Sequence, residues 1–212
     1  MIALLVLNTA AAEPTWSQLQ TDSGWNLSHT TEHSATGEIQ IYKQTVAGVA
    51  CFRGQSQTSA SAESMLTVAM DVEGAISWSS AGISEAETLS RSASQIDYYQ
   101  YLNIPIISDR FWFLRGTVER SGNQINFHWS RLHNGGEHAA RYQAIKTQHP
   151  NAIEPPVNVG AWSFETTGNN VLVRYYICTD PGGRIPASLQ VLGTEGTLPD
   201  TIGDLVTEAK RR

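Results

Sequence analysis

The sequence is poor in charge. Only 16% of its 212 residues are Asp, Glu, Lys or Arg, against about 25% in an average soluble protein. That shortfall implies a large apolar interior beneath a mildly polar surface of Ser, Thr, Gln and Asn. Its 14 basic and 20 acidic residues leave a formal net charge of −6. A nucleic-acid partner needs a basic face to offset phosphate and is therefore not expected. Strong attraction to anionic lipid headgroups is not expected either. Long apolar runs are also lacking. The run "IALLVLNTAAA" (2–12) has about 11 residues, too few to span a bilayer.

Cysteine is almost absent. Cys51 and Cys178 are too far apart in the chain for a paired metal knuckle or a C-x-x-C redox motif. In an oxidising compartment they could form one disulfide; in a core they could equally be two small buried thiols.

Familiar catalytic signatures are missing as well. "CTDPGGRIP" (178–186) follows a strand-like run and precedes a helical one, the setting in which backbone N–H groups cradle phosphate. It lacks the Lys-Ser or Lys-Thr pair of a P-loop, so Gly182 and Gly183 read instead as a turn that needs positive φ. There is no G-x-G-x-x-G, no H-E-x-x-H and no G-x-S-x-G. His29 and His33 fall in a strand or loop region, while His133 and His138 flank a Gly-Gly turn. These read as solvated loop histidines, and neither a metal nor a cofactor is expected.

What is present has a clear order. The apolar start ends in Ala10-x-Ala12 before Glu13-Pro14, which predicts signal-peptidase cleavage after Ala12. The positively charged region of a full leader is absent, so residues 1–12 read as a signal-peptide remnant. The mature chain, 13–212, is expected to be one exported domain, periplasmic or secreted. A short helix is expected over 14–20, then strands over 24–32, 38–46 and 51–59. Met65, Val68, Ala69, Val72 and Ile76 recur at helical spacing over 61–78, with Ser61 placed to cap. Strand period returns from about Ala86 in six runs ending at 171–179. Segment 133–138 reads as a polar loop and 146–156 as irregular. Pro186 opens a helical stretch, and 197–212 is a strong helix with Pro199 suited to its first turn and Lys210, Arg211 and Arg212 at its end. Strands followed by a closing helix make an α+β architecture.

Along 111–118, Phe111, Phe113, Arg115 and Thr117 alternate with Trp112, Leu114, Gly116 and Val118. A face carrying Arg115 either looks into a cavity with an acid, water or ligand, or lies outward with the arginine head in water.

In order and spacing the chain resembles the START domains, the lipid-transfer modules of the steroidogenic acute regulatory type. The residues that carry the resemblance are Trp78, "DYYQYLNIPIISDRFWFLR" (97–115), "GAWSFE" (160–165), "VRYYICTDPGGRIP" (173–186) and "TLPDTIGDL" (197–205). Phe111-Trp112 replaces the family's usual Asp-Phe, and 133–156 has no counterpart motif. The resemblance implies a helix-grip fold: about nine antiparallel strands curved around a long C-terminal helix, with an apolar tunnel between them. It makes Ile202, Leu205 and Val206 the tunnel lid, with Ile104, Ile106 and Ile107 in the gating loop. It also implies an acid–arginine pair, Asp97 and Arg115, meeting the ligand's polar head, with Phe113 on the same face. By placing the first and last strands of the closure side by side, it favours a Cys51–Cys178 disulfide.

The expected function is therefore a soluble, monomeric carrier of one sterol, fatty acid or phospholipid that touches membranes transiently and catalyses nothing. The alternative is a cyclase or hydrolase using the same tunnel, for which His128 and the Asp97/Arg115 pair are the candidates. A non-transferring sensor is a third reading.

Overall fold

The computed structural model describes residues 12–104, 107–183 and 187–212, the side chains of 187–194 excepted. A short helix α1 (Trp16–Leu19) precedes strands β1 (Asn26–His33), β2 (Gly37–Val46) and β3 (Val49–Thr58). Helices α2 (Ala62–Ala69) and α3 (Ala75–Trp78) follow, and then β4 (Ile83–Arg91), β5 (Gln95–Leu102), β6 (Arg110–Ser121) and β7 (Gln124–Arg131). A 3-10 turn (His133–His138) leads into α4 (Ala139–Gln148). The chain closes with β8 (Val157–Thr167), β9 (Asn170–Asp180) and α5 (Ala187–Arg211). The nine strands form one antiparallel sheet in the order β1-β2-β3-β9-β8-β7-β6-β5-β4. All but one of the connections join neighbours. The exception runs from β3 through α2 and α3 to the far edge at β4, which brings the last strand, β9, beside β3.

This is the expected α+β order, with three revisions. The 61–78 helix is two helices. Ser61 does cap the first, its Oγ accepting from the Ser64 amide at 3.0 Å. After Met70 the Asp71 carboxylate accepts from the Gly74 amide at 3.1 Å, a local bond that competes with helix continuation. Second, 139–148 is a helix. Its buried contacts are only Tyr142 and Ile145, too sparse an apolar stripe to announce itself by periodicity. Third, α5 runs unbroken from 187, so Pro199 lies inside it rather than in its first turn. An interior proline costs about 3 kcal/mol in an isolated helix. Here the burial of Leu198, Ile202, Leu205 and Val206 on the sheet offsets that cost.

Strand alternation divides the apolar residues between the two faces of the sheet. The concave face carries Ile39, Ile41, Ile96, Tyr98, Leu114, Phe127, Trp129, Trp162, Phe164 and Val173, and packs against α2 and α5. The outer face carries two separate patches. Cys51, Cys178, Val159, Ala161 and Tyr176 lie under α1 through Trp16 and Leu19. Tyr99, Tyr101, Phe111 and Phe113 lie under α4 through Tyr142 and Ile145. Gly54 of β3 is where α5 comes nearest the sheet, since a Cβ there would stand 2.6 Å from Ile202 Cδ1.

Cys51 and Cys178 face each other across β3 and β9, with Cα atoms 4.3 Å apart, and are joined as a disulfide. That separation matches a non-hydrogen-bonded antiparallel pair, the site at which facing side chains come closest. None of the described helices is long and apolar enough to cross a membrane.

Candidate ligand-binding site

The site is built on the concave face, where five adjacent strands each present an aromatic toward α5. Tyr98 comes from β5, Trp112 from β6, Phe127 and Trp129 from β7, Trp162 from β8 and Tyr175 from β9. The rings contact one another along the sheet. Trp162 and Tyr175 have centroids 4.4 Å apart, Trp129 and Tyr175 5.9 Å, and Phe127 and Trp129 6.2 Å. The indole donors are satisfied: Trp129 Nε1 donates to Asn158 Oδ1 at 3.0 Å and Trp112 Nε1 to Gln100 Oε1 at 3.2 Å.

The two phenols report the character of the space. Burial alone pushes the Tyr175 phenol well above its ordinary range, yet the residue keeps accessible surface. A ring set deep in protein that still has free surface borders an internal space. Burial first, and then the charge of Tyr175, raises the Tyr98 phenol in the same way.

Ile202, Leu205 and Val206 close this face, and each is fully buried against it. Their placement as the cover of the sheet agrees with expectation. Asp97, Phe113 and Arg115 do not join them. Leu114 points at the helix and Phe113 at α4, so Arg115, two residues from Phe113, also faces outward, opposite Asp97. The reading of Asp97 and Arg115 as groups inside the tunnel is thus corrected. A strand alternates faces at every residue, and an alignment displaced by one position exchanges inside for outside.

What that pair does instead is clear from its geometry. Arg115 Nε and one terminal nitrogen grip the Asp97 carboxylate, both at 2.7 Å, and His138 Nε2 lies 3.0 Å from Asp97 Oδ2. Asp97 is 1% exposed. Burial would raise its pKa, but the Arg115 and His138 hydrogen bonds outweigh it and hold the carboxyl below the usual range. The cluster ties the start of α4 to β5 and β6. His138 was read from sequence as a solvated loop residue; nothing in "HNGGEH" signals its partner 41 residues earlier in the chain. His128 also faces outward, stacked on Trp16 at 5.7 Å and with Nε2 3.1 Å from Glu119 Oε1.

The loop between β5 and β6 is anchored by Asp109. Its carboxylate accepts from the Tyr101 hydroxyl at 2.6 Å and from the Ile104 amide at 3.0 Å. Ile107 is 42% exposed, and Ile106 lies outside the described residues. Arg110, next in the chain, is a residue the sequence reading passed over. It is 3% exposed, and it donates to the carbonyls of Pro181 at 2.6 Å and Gly182 at 3.2 Å. Gly182 and Gly183 take φ of 65° and 76°, the positive-φ turn expected between β9 and α5. Loop and lid root are therefore joined by one guanidinium.

Among the described residues no group of three or more His, Cys, Asp or Glu is arranged to hold a metal. The concave face offers shape, aromatic surface and phenol hydroxyls, a chemistry suited to binding.

No family model and no curated protein matches the sequence significantly. Solved structures do match. The STAR-related lipid transfer protein from Xanthomonas axonopodis superposes with a TM-score of 0.72 at 21% identity, covering 88% of this chain and 99% of that one. Human StAR-related lipid transfer protein 5 gives 0.70 at 13%, covering 92% and 90%. The Zhui aromatase/cyclase from Streptomyces gives 0.51 at 11%, covering 76% and 94%. The chain has the helix-grip fold of the START domains, a curved nine-stranded antiparallel sheet closed by its C-terminal helix.

Proposed function

We propose that residues 13–212 form one lipid-binding domain that carries a single hydrophobic ligand between the concave face and α5. The observation that carries this reading is Tyr175, whose ring is deep enough for its phenol to be strongly desolvated while still bordering free space. A wall of six aromatic side chains beside such a space recovers about 25 cal/mol for each Å² of apolar ligand surface it removes from water, and a few polar groups suffice to orient the ligand. Ile107, exposed in the loop that Arg110 links to the lid root, is the membrane-touching element of this reading. The Cys51–Cys178 disulfide supports an exported protein in an oxidising compartment. The carrier acts as a monomer without nucleic acid.

Native mass spectrometry of the purified protein, followed by solvent extraction, tests the proposal. A stoichiometric apolar molecule is expected. An empty protein that takes up no labelled lipid from liposomes would overturn it. The second reading, a cyclisation enzyme on the same fold, is favoured by the similarity to the aromatase/cyclase and by the Tyr98 and Tyr175 hydroxyls in an apolar setting. Chemical conversion of the extracted ligand on incubation would separate it from carriage. Neither His128 nor the Asp97–Arg115 pair serves that reading, because both face away from the concave side.

A further inference from the structure

The hydroxyls of Tyr98 and Tyr175 have no hydrogen-bond partner among the described residues, although Tyr98 is only 4% exposed. Buried hydroxyls normally find a partner, so the pair requires an explanation. Their strands, β5 and β9, stand four places apart in the sheet, about 19 Å along a flat surface. Even so, the charge of one phenol disfavours ionisation of the other. The curvature of the sheet has therefore turned them to face each other across the concave space. Both hydroxyls serve the same enclosed volume.

Charge is committed elsewhere. Of the charged residues buried among those described, Arg53 lies on the outer face with Asp22 and over the Tyr42 ring. Asp97 is held by Arg115, Arg110 by the carbonyls at the lid root, and Glu208 by Arg211 and Arg212. A carboxylate or phosphate entering between the sheet and α5 would lose its hydration without gaining a free cation among these residues, a costly exchange. The flanking walls are the flat rings of Trp129 and Trp162, stacked about Tyr175. Such walls favour planar ring systems, which also lose little conformational entropy on binding.

We infer that the space beneath α5 selects a neutral, flat, ring-containing molecule bearing a hydroxyl or carbonyl, oriented by the phenols of Tyr98 and Tyr175, over fatty acids and phospholipids. This rests on the carrier reading and names its ligand class. The test is equilibrium binding, followed by tryptophan fluorescence, of a sterol with one hydroxyl, a hydroxylated anthracene, the same two ring systems without the hydroxyl, oleate, and phosphatidylcholine vesicles. At least one hydroxylated ring probe should bind ten times more tightly than oleate or phosphatidylcholine. Tyr98→Phe and Tyr175→Phe should each weaken that probe about three- to tenfold, the range of a single buried hydrogen bond, and leave its deoxygenated analogue unchanged. Neither variant should lower the melting temperature, because the hydroxyl removed has no protein partner. Tighter binding of oleate or phosphatidylcholine would overturn the ligand class and leave the carrier reading standing. Wild-type affinity in both variants would overturn the role of the phenols. Failure of every probe to bind would overturn the inference and the carrier reading together.

Discussion

Arg110 Nε donates to the carbonyl of Pro181 at 2.6 Å. Through this bond the start of β6, and the loop before it, are attached to the turn from which α5 springs. Replacing the guanidinium by an apolar side chain leaves the Pro181 and Gly182 carbonyls without their donor. Arg110→Leu should cost about 2–3 kcal/mol, the penalty for buried polar groups left unmade. It should also raise amide exchange in Thr179–Gly183 more than in the distant β2. Urea unfolding and hydrogen exchange measure both, and equal protection in the two proteins would show that the contact holds nothing in place.

The disulfide makes a second prediction. A thiol titration of the denatured, unreduced protein should find no free thiol. Cys51→Ser with Cys178→Ser should lower stability by about 2–4 kcal/mol, chiefly by releasing a long loop in the unfolded chain. Unchanged unfolding midpoints under reducing and oxidising conditions would contradict this.

The Asp97 cluster should show in the acid limb of the stability curve. The folded carboxyl titrates below its unfolded value. Its contribution is therefore complete above the unfolded pKa of about 3.9 and is lost as pH falls through the lower folded value. Asp97→Asn should cost about 2–3 kcal/mol at neutral pH, less than a fully buried pair because Arg115 is 33% exposed. It should also flatten the slope of stability below about pH 4. Ligand affinity should not change, because the cluster faces away from α5. A variant with normal stability and weakened binding would place the pair in the ligand site after all.

Gly54 sets how closely α5 can approach the sheet. Gly54→Ala puts a methyl into the Ile202 side chain, so Ile202 must rotate or the helix must move. A loss of about 1–3 kcal/mol is expected, with faster ligand exchange as the cover is loosened. Wild-type exchange together with wild-type stability would mean that Ile202 simply turns aside.

The local pattern carried a good deal of this. Alternation in 171–179, the positive-φ Gly182–Gly183 turn and the apolar stripe Leu198, Ile202, Leu205 and Val206 are each determined by residues within one turn or one strand of each other. All were legible in the sequence, as was the order of elements that makes a sheet closed by a helix. α4 was not, because a helix that buries only Tyr142 and Ile145 owes its existence to the outer face of β5 and β6 more than to its own period. The faces of the strands were not legible either. Alternation told that Phe113 and Arg115 share a side and that Leu114 takes the other, but not which side the helix would cover. Only the folded sheet decided that, and with it that Asp97 meets His138 while Tyr98 meets Tyr175. Side-chain period is a property of the strand alone; inside and outside exist only once the sheet has curved around α5.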